Sequence, residues 1–231
     1  MRGSHWRWFL RNDEGWSPRF YEAYFGTPLG AAIRKWEEQA VFDMLGVVME
    51  PSHRVLEVGS GTGNFTVPVA RRCTALVSVD SASEMRRYLG KRIGRERLAN
   101  VEIVPGRLPD KLVSSGTFDG ALAIGVLNYV KGLADALRAL VSAVRPAGWL
   151  IFTVPLTTVE GRIYALTELV NRRRVSLYSL EETTEIADSV RLRVETIAVA
   201  GFSRGGLTLV VGGRTPGAPA ERDYSGFAEA R

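Results

Sequence analysis

The stretch VLEVGSGTGNFT, residues 55 to 66, limits what this chain can fold into more than any other part of it. An apolar, β-branched run stops at Gly59, Gly61 and Gly63, spaced G-x-G-x-G, and a helical pattern begins at once. A strand that ends in glycines and turns straight into a helix presents backbone N–H groups, with no Cβ between main chain and ligand. A dinucleotide fingerprint would place its third glycine one position later, where Asn64 stands, so the spacing counts against NAD. Asp80 closes the next apolar run, ALVSVD, about twenty residues on, where an acidic side chain in such folds binds both hydroxyls of a ribose. With Glu57 ahead of the glycines, these residues point to an adenosine-type ligand.

From residue 52 onward, short β-branched runs alternate with helical patterns: RVLEV, ALVSVD, VEIV, FDGALAIGV and GWLIFTV, with NFTVPVARRC, SEMRRYLGKRIG and GLADALRALVSAVRP among them. That alternation predicts an α/β doubly wound domain of parallel strands covered on both faces. After Pro155 a helix and loop interrupt the pattern up to Tyr178, and Ser179 with Glu182 opens a further helix as a capping box. The runs VRLRVETIAVA and LTLVVGG close the domain around SRGG, residues 203 to 206, so the last strand is expected to run antiparallel. The expected organisation is an N-terminal helical and aromatic cap over 1–46, a domain over 47–213 with an insertion at 155–178, and a mobile tail over 214–231. In the cap, Ile33, Trp36, Ala40, Val41 and Met44 fall at helical spacing, which reads as a docking face.

Composition narrows the chemistry. Cys73 is the only cysteine and His5 and His53 the only histidines, so no internal disulfide and no cysteine or histidine metal cage is expected. The net charge of +5 is spread over separated pairs such as Arg71-Arg72 and Arg86-Arg87, which reads as solvated helix faces and not as a nucleic-acid footprint. No apolar run is long enough to span a bilayer and none near the start is followed by a cleavage site, so the expected location is cytoplasmic. Trp6, Arg7, Trp8, Phe9, Leu10 and Arg11 mix aromatics with cations in a way that also suits peripheral membrane contact, although packing over the ligand edge is the preferred reading.

The ordered motifs resemble those of the class I S-adenosylmethionine-dependent methyltransferases, of the menaquinone and ubiquinone methyltransferase type, over most of residues 40 to 212. The residues that carry the resemblance are Glu57, Gly59, Gly61 and Gly63; Asp80 to Met85 (DSASEM); Phe118-Asp119; Gly125 to Tyr129; and Arg145 to Trp149 (RPAGW). The resemblance implies a Rossmann-like seven-stranded sheet in the order 3-2-1-4-5-7-6, strand seven antiparallel, and S-adenosylmethionine as cofactor. It also implies that Glu57 and the glycine turn, Ser60 included, hold the methionine portion, Asp80 the ribose, Ser81 and Met85 the adenine, and Gly125 the sulfonium end. Many such proteins carry Gly-Asp after strand three; this chain has Gly106-Arg107-Leu108-Pro109-Asp110, so the adenine amino group would meet backbone near Arg107 and Leu108, or Asp110.

Methyl transfer from a sulfonium is an in-line displacement in which positioning supplies much of the acceleration, and a base is required only where the acceptor must lose a proton. Candidates at the acceptor are Asn128 and Tyr129 as catalytic groups, with Tyr21, Tyr24, Arg162, Tyr164 and Tyr178 as substrate contacts. The chain has Asn128-Tyr129-Val130-Lys131 where amino-methylating nucleic-acid enzymes carry Asn/Asp-Pro-Pro-Tyr/Phe, so a small-molecule or lipid-like acceptor is expected. Two other classes stay open: a non-catalytic S-adenosylmethionine-binding module, and an NAD-linked oxidoreductase.

Overall fold

The computed structural model describes residues 11–12, 15–110, 116–170, 173–203 and 205–217. Seven strands form one sheet: β1 (Arg54–Val58), β2 (Ala75–Asp80), β3 (Val101–Pro105), β4 (Phe118–Ala123), β5 (Val144–Pro155), β6 (Arg193–Ala200) and β7 (Thr208–Arg214). Their order across the sheet is β3-β2-β1-β4-β5-β7-β6. The first five strands run parallel, and β7 lies antiparallel between β5 and β6. This is the sheet that the family resemblance implies.

Alternation along each strand builds two apolar layers. Leu56, Val58, Ala121, Leu150 and Phe152 face one cluster, closed by helices α5 (Leu133–Ala143) and α7 (Leu180–Ser189). Val55, Leu76, Leu122, Trp149 and Ile151 face the other, closed by α2 (Pro28–Val48) and α3 (Thr66–Ala70). Helix α4 (Ser83–Arg95) covers β2 and β3 through Met85, Leu89 and Ile93. The Trp149 ring lies where a Cβ on Gly120 would come within 2.0 Å, and its indole N–H donates to His53 Nδ1 at 3.1 Å. The two remaining α-helices among the described residues are α1 (Pro18–Phe25) and α6 (Val159–Val170).

Two boundaries differ from the sequence reading. The predicted cap is only partly a cap, because α2 runs to Val48 and buries Val41, Met44 and Leu45 in the second apolar layer. Its C-terminal half is a structural layer of the domain. The tail does not start at Arg214, which closes β7; Thr215 is buried and its hydroxyl donates to the Arg145 carbonyl at 2.7 Å. Residues 218–231 and the aromatic residues Trp6, Trp8 and Phe9 lie outside the described residues. No helix among the described residues is long and apolar enough to cross a membrane.

Candidate active site

The three glycines of the turn after β1 have φ of +80°, +53° and +89°, a region that other residues rarely adopt. They do different work. A Cβ on Gly59 would stand 2.5 Å from Val126 Cβ, and one on Gly63 would stand 2.4 Å from Leu89 Cδ1, so these two let neighbouring side chains pack down onto the turn. A Cβ on Gly61 would meet nothing within 4 Å, and the same holds at Gly125, after β4, with φ of +65°. Gly61 and Gly125 therefore border open space from two adjacent strand ends. Ser60 Oγ and Thr62 Oγ1 are buried with no hydrogen-bond partner among the described residues. Open backbone beside orphaned hydroxyls fits a polar ligand that supplies the missing bonds.

Asp80, at the end of β2, accepts from Gly61 N–H and Ala82 N–H, both at 2.8 Å. It braces the glycine turn against the start of α4, the capping role that a purely structural reading would give it. Gly106 N–H donates to the Asp80 carbonyl at 3.3 Å, which brings the loop carrying Arg107 and Leu108 to the same strand end. In that loop Arg107 and Asp110 are exposed and Leu108 is buried in the core; next to Asp80, Ser81 is exposed and Met85 is buried on α4. Glu57 is buried and accepts from Thr66 Oγ1 at 2.6 Å. Desolvation pushes its carboxyl up to about 7 against the opposing Thr66 bond, with Asp80 adding to the rise.

The acceptor end is built from other elements. Gly125 N–H donates to Thr153 Oγ1 at 2.8 Å, and the Thr153 hydroxyl favours the ionised form of the Glu37 carboxyl on α2. Beyond Gly125, a 3-10 turn (Leu127–Tyr129) delivers Asn128 and Tyr129. Asn128 Nδ2 donates to Tyr164 Oη at 2.8 Å, Tyr129 Oη and Tyr164 Oη are 3.1 Å apart, and Tyr129 Oη donates to Glu168 Oε2 at 3.1 Å. Tyr164 and Glu168 are one turn apart on α6, so one helix face carries both. The Arg173 guanidinium sits 4.6 Å from the Tyr129 ring centroid and 4.0 Å from Glu168. From α1, Tyr21 and Tyr24 share the same field: burial raises both hydroxyls, with Glu37 and Tyr129 acting on Tyr21 and Glu168 on Tyr24. Glu37 is pushed up to about 7, chiefly by desolvation.

The structure thus brings together Tyr21, Tyr24, Asn128, Tyr129 and Tyr164. It sets apart Arg162, which is exposed, and Tyr178, which is buried in the first apolar layer and bridges Leu156 through its backbone. Tyr178, expected as a substrate contact, is buried among the apolar residues of that layer, while its segment reaches the acceptor turn through Ser176 N–H, which donates to the Asn128 carbonyl at 3.0 Å. Glu37, Thr153 and Glu168 escaped the sequence reading. A cavity of about 540 Å³ lies elsewhere, between α2 and strands β5, β7 and β6, with Trp36, Met44, Val48, Ile151 and Ala198 in its wall; no residue of the glycine turn lines it.

Comparisons with known proteins agree with this geometry. A family model described as a methyltransferase domain matches residues 34–196. The chain is 32% identical over 124 residues to the 23S rRNA (uracil(1939)-C(5))-methyltransferase of Alkalilimnicola ehrlichii, covering 52% of this chain and 26% of that protein. It is 31% identical over 117 residues to protein-L-isoaspartate O-methyltransferase 2 of Rhodopseudomonas palustris, covering 49% of each. It is also 27% identical over 119 residues to the ubiquinone biosynthesis O-methyltransferase of Methylocella silvestris, covering 49% and 44%. The chain spans about half, or less, of the length of these curated relatives. In fold it is similar to an S-adenosylmethionine-dependent methyltransferase from Mesorhizobium loti, with a TM-score of 0.68 at 15% identity over 79% of this chain and 99% of that one. With the sheet order, the glycine turn and a family match over most of its length, this chain belongs to the methyltransferase-domain family, the class I S-adenosylmethionine-dependent methyltransferases.

Proposed function

We propose that the chain transfers a methyl group from S-adenosylmethionine to a small-molecule or lipid-like acceptor. The observation that carries this reading is the polar cluster of Tyr129, Tyr164, Glu37 and Glu168 beside the open backbone of Gly125, at the same sheet edge as Asp80 and the glycine turn. When bound, the cofactor supplies an electrophilic methyl on a sulfonium. Gly61 and the orphaned hydroxyls of Ser60 and Thr62 line the methionine portion together with Glu57, Asp80 accepts from the ribose, and Ser81, Met85 and the backbone of Arg107 and Leu108 border the adenine. Gly125 and Thr153 shape the sulfonium end, and Asn128, Tyr129, Tyr21 and Tyr24 border the acceptor. Helices α1 and α6 narrow that end with side chains, which favours an acceptor small enough to enter over a folded macromolecule.

Calorimetric titration with S-adenosylhomocysteine tests the cofactor half: micromolar binding is expected, weakened tenfold or more in Asp80→Ala, with no preference for NAD. Radiolabelled methyl transfer to a panel of phenols, alcohols, amines, quinols, RNA and protein tests the acceptor half. Transfer to RNA or protein alone would overturn the small-molecule reading.

A further inference from the structure

We propose that Glu168 is the terminal proton acceptor of a directed hydrogen-bond chain, and that the methyl acceptor is therefore a neutral hydroxyl compound, an alcohol or phenol, whose proton leaves through Tyr129. This rests on the methyl-transfer reading above and names its substrate class.

The direction of the chain follows from counting protons. A phenol has one proton to donate. That of Tyr129 is given to Glu168, so across the 3.1 Å pair the donor is Tyr164, and Tyr164 in turn receives the N–H of Asn128. Every donor points the same way, towards one carboxylate. Glu168 is 2% exposed and Tyr129 38% exposed, so the phenol stands between solvent and a buried base. Among the described residues, the remaining ionisable groups that act on Glu168 are Arg173, on the segment after α6, and Tyr24, on α1; Glu37, on α2, acts on Tyr164. Arg173 covers the Tyr129 ring and offsets negative charge that passes through the phenol. Burial, the largest influence, raises the Glu168 carboxyl above its ordinary value while Arg173 and Tyr129 restrain it, and a base raised in this way is better matched to proton abstraction near neutrality.

A neutral hydroxyl is the acceptor that needs such a chain. An amine attacks through a lone pair while uncharged, and a thiol ionises readily by itself, whereas an alcohol or phenol is a weak nucleophile until its proton leaves. As the acceptor oxygen bonds to the methyl carbon, the carbon–sulfur bond breaks and its electron pair stays on sulfur. The acceptor proton passes to the Tyr129 oxygen as the Tyr129 proton passes to Glu168. One carboxylate charge and one sulfonium charge disappear together, and no further reactant is required. Tyr129 is then the catalytic residue and Glu168 the group that positions its hydroxyl and receives its proton.

The test uses the full chain with S-adenosylhomocysteine, and Glu168→Gln and Tyr129→Phe as variants. Carbon-13 NMR of the glutamate side-chain carboxyls should show one resonance, absent in Glu168→Gln, that titrates above the ordinary carboxylate range and moves higher still in Tyr129→Phe. A resonance that titrates at the ordinary value, or ignores Tyr129→Phe, overturns the proposal without any acceptor in hand. If Glu168→Gln fails to fold, the Tyr129→Phe shift still decides. With methyl-labelled donor and phenol, catechol, benzyl alcohol, benzylamine and thiophenol as probes, transfer to the hydroxyl probes should rise with pH through the Glu168 titration. It should fall by about 100-fold or more in Glu168→Gln, with S-adenosylhomocysteine affinity unchanged. Transfer confined to the amine or thiol, or an unaltered rate in Glu168→Gln, overturns it. Failure of the wild type to bind S-adenosylhomocysteine strikes instead at the methyl-transfer reading itself.

Discussion

A methyl group added at Gly61 would meet nothing within 4 Å, whereas one added at Gly63 would meet Leu89 Cδ1 at 2.4 Å. The two substitutions should therefore separate binding from stability. Gly63→Ala combines a left-handed backbone with overpacking and should lower unfolding free energy by about 2–4 kcal/mol in urea titrations. Gly61→Ala carries only the backbone strain, about 1–2 kcal/mol, but should weaken S-adenosylhomocysteine by tenfold or more in calorimetry. Glu57 adds a pH signature. Its carboxyl, raised to about 7, binds a proton more tightly in the folded than in the unfolded chain. The resulting stabilisation is complete below the unfolded value and fades as pH rises through about 7. Glu57→Gln keeps an oxygen for Thr66 Oγ1 to donate to, so thermal denaturation between pH 4.5 and 7.5 should show a flatter decline than in the wild type.

Helix α6 owes its placement to an ion-like anchor at its first turn. Glu160 accepts from Phe202 N–H at 2.9 Å and Ser203 N–H at 2.6 Å, tying the helix to the reversal between β6 and β7. Slight desolvation is outweighed there by the bonds from Ser203 and Phe202, and the carboxyl is held below its usual value. Glu160→Ala should accelerate hydrogen exchange of the α6 amides and lower methyl transfer, while S-adenosylhomocysteine binding stays within about twofold because no residue proposed for the cofactor lies on α6. The helix also shows where sequence reading stops. The strands are legible because their apolar runs are nearly continuous, and the glycine turn and Asp80 because their spacing is fixed by the strands themselves. Glu37 and Glu168 are not, since each is one carboxylate within a helical pattern with nothing local to single it out, Glu37 beside Glu38 and Glu168 between Thr167 and Leu169. The i, i+4 spacing of Tyr164 and Glu168 is the one signal in the sequence that could have placed them on a shared face. Tyr164 and Tyr178 were indistinguishable as letters; what divides them is that the chain folds back at Leu156 and carries Tyr178 into the core.

At the scale of the whole molecule, the groups proposed for cofactor and acceptor lie at or near the carboxyl ends of the parallel strands, in the turns that follow them or on neighbouring helices, and the two apolar layers hold the sheet. The order β5-β7-β6 makes the last strand an internal one. Deleting residues 208 onward should therefore do more than trim an edge: β5 and β6 would both lose a partner, and the shortened chain is expected in the insoluble fraction with far-UV circular dichroism well below that of the intact protein. The same arrangement sets an order of events during synthesis. As the chain leaves the ribosome from its N-terminus, β6 emerges before the strand it pairs with, and helix α7 can hold it near the sheet but cannot supply its hydrogen bonds. The nascent protein must carry an open slot beside β5 until Thr208–Arg214 arrives to fill it, so a pause in translation before Thr208 is the moment at which a holdase would find the most to bind.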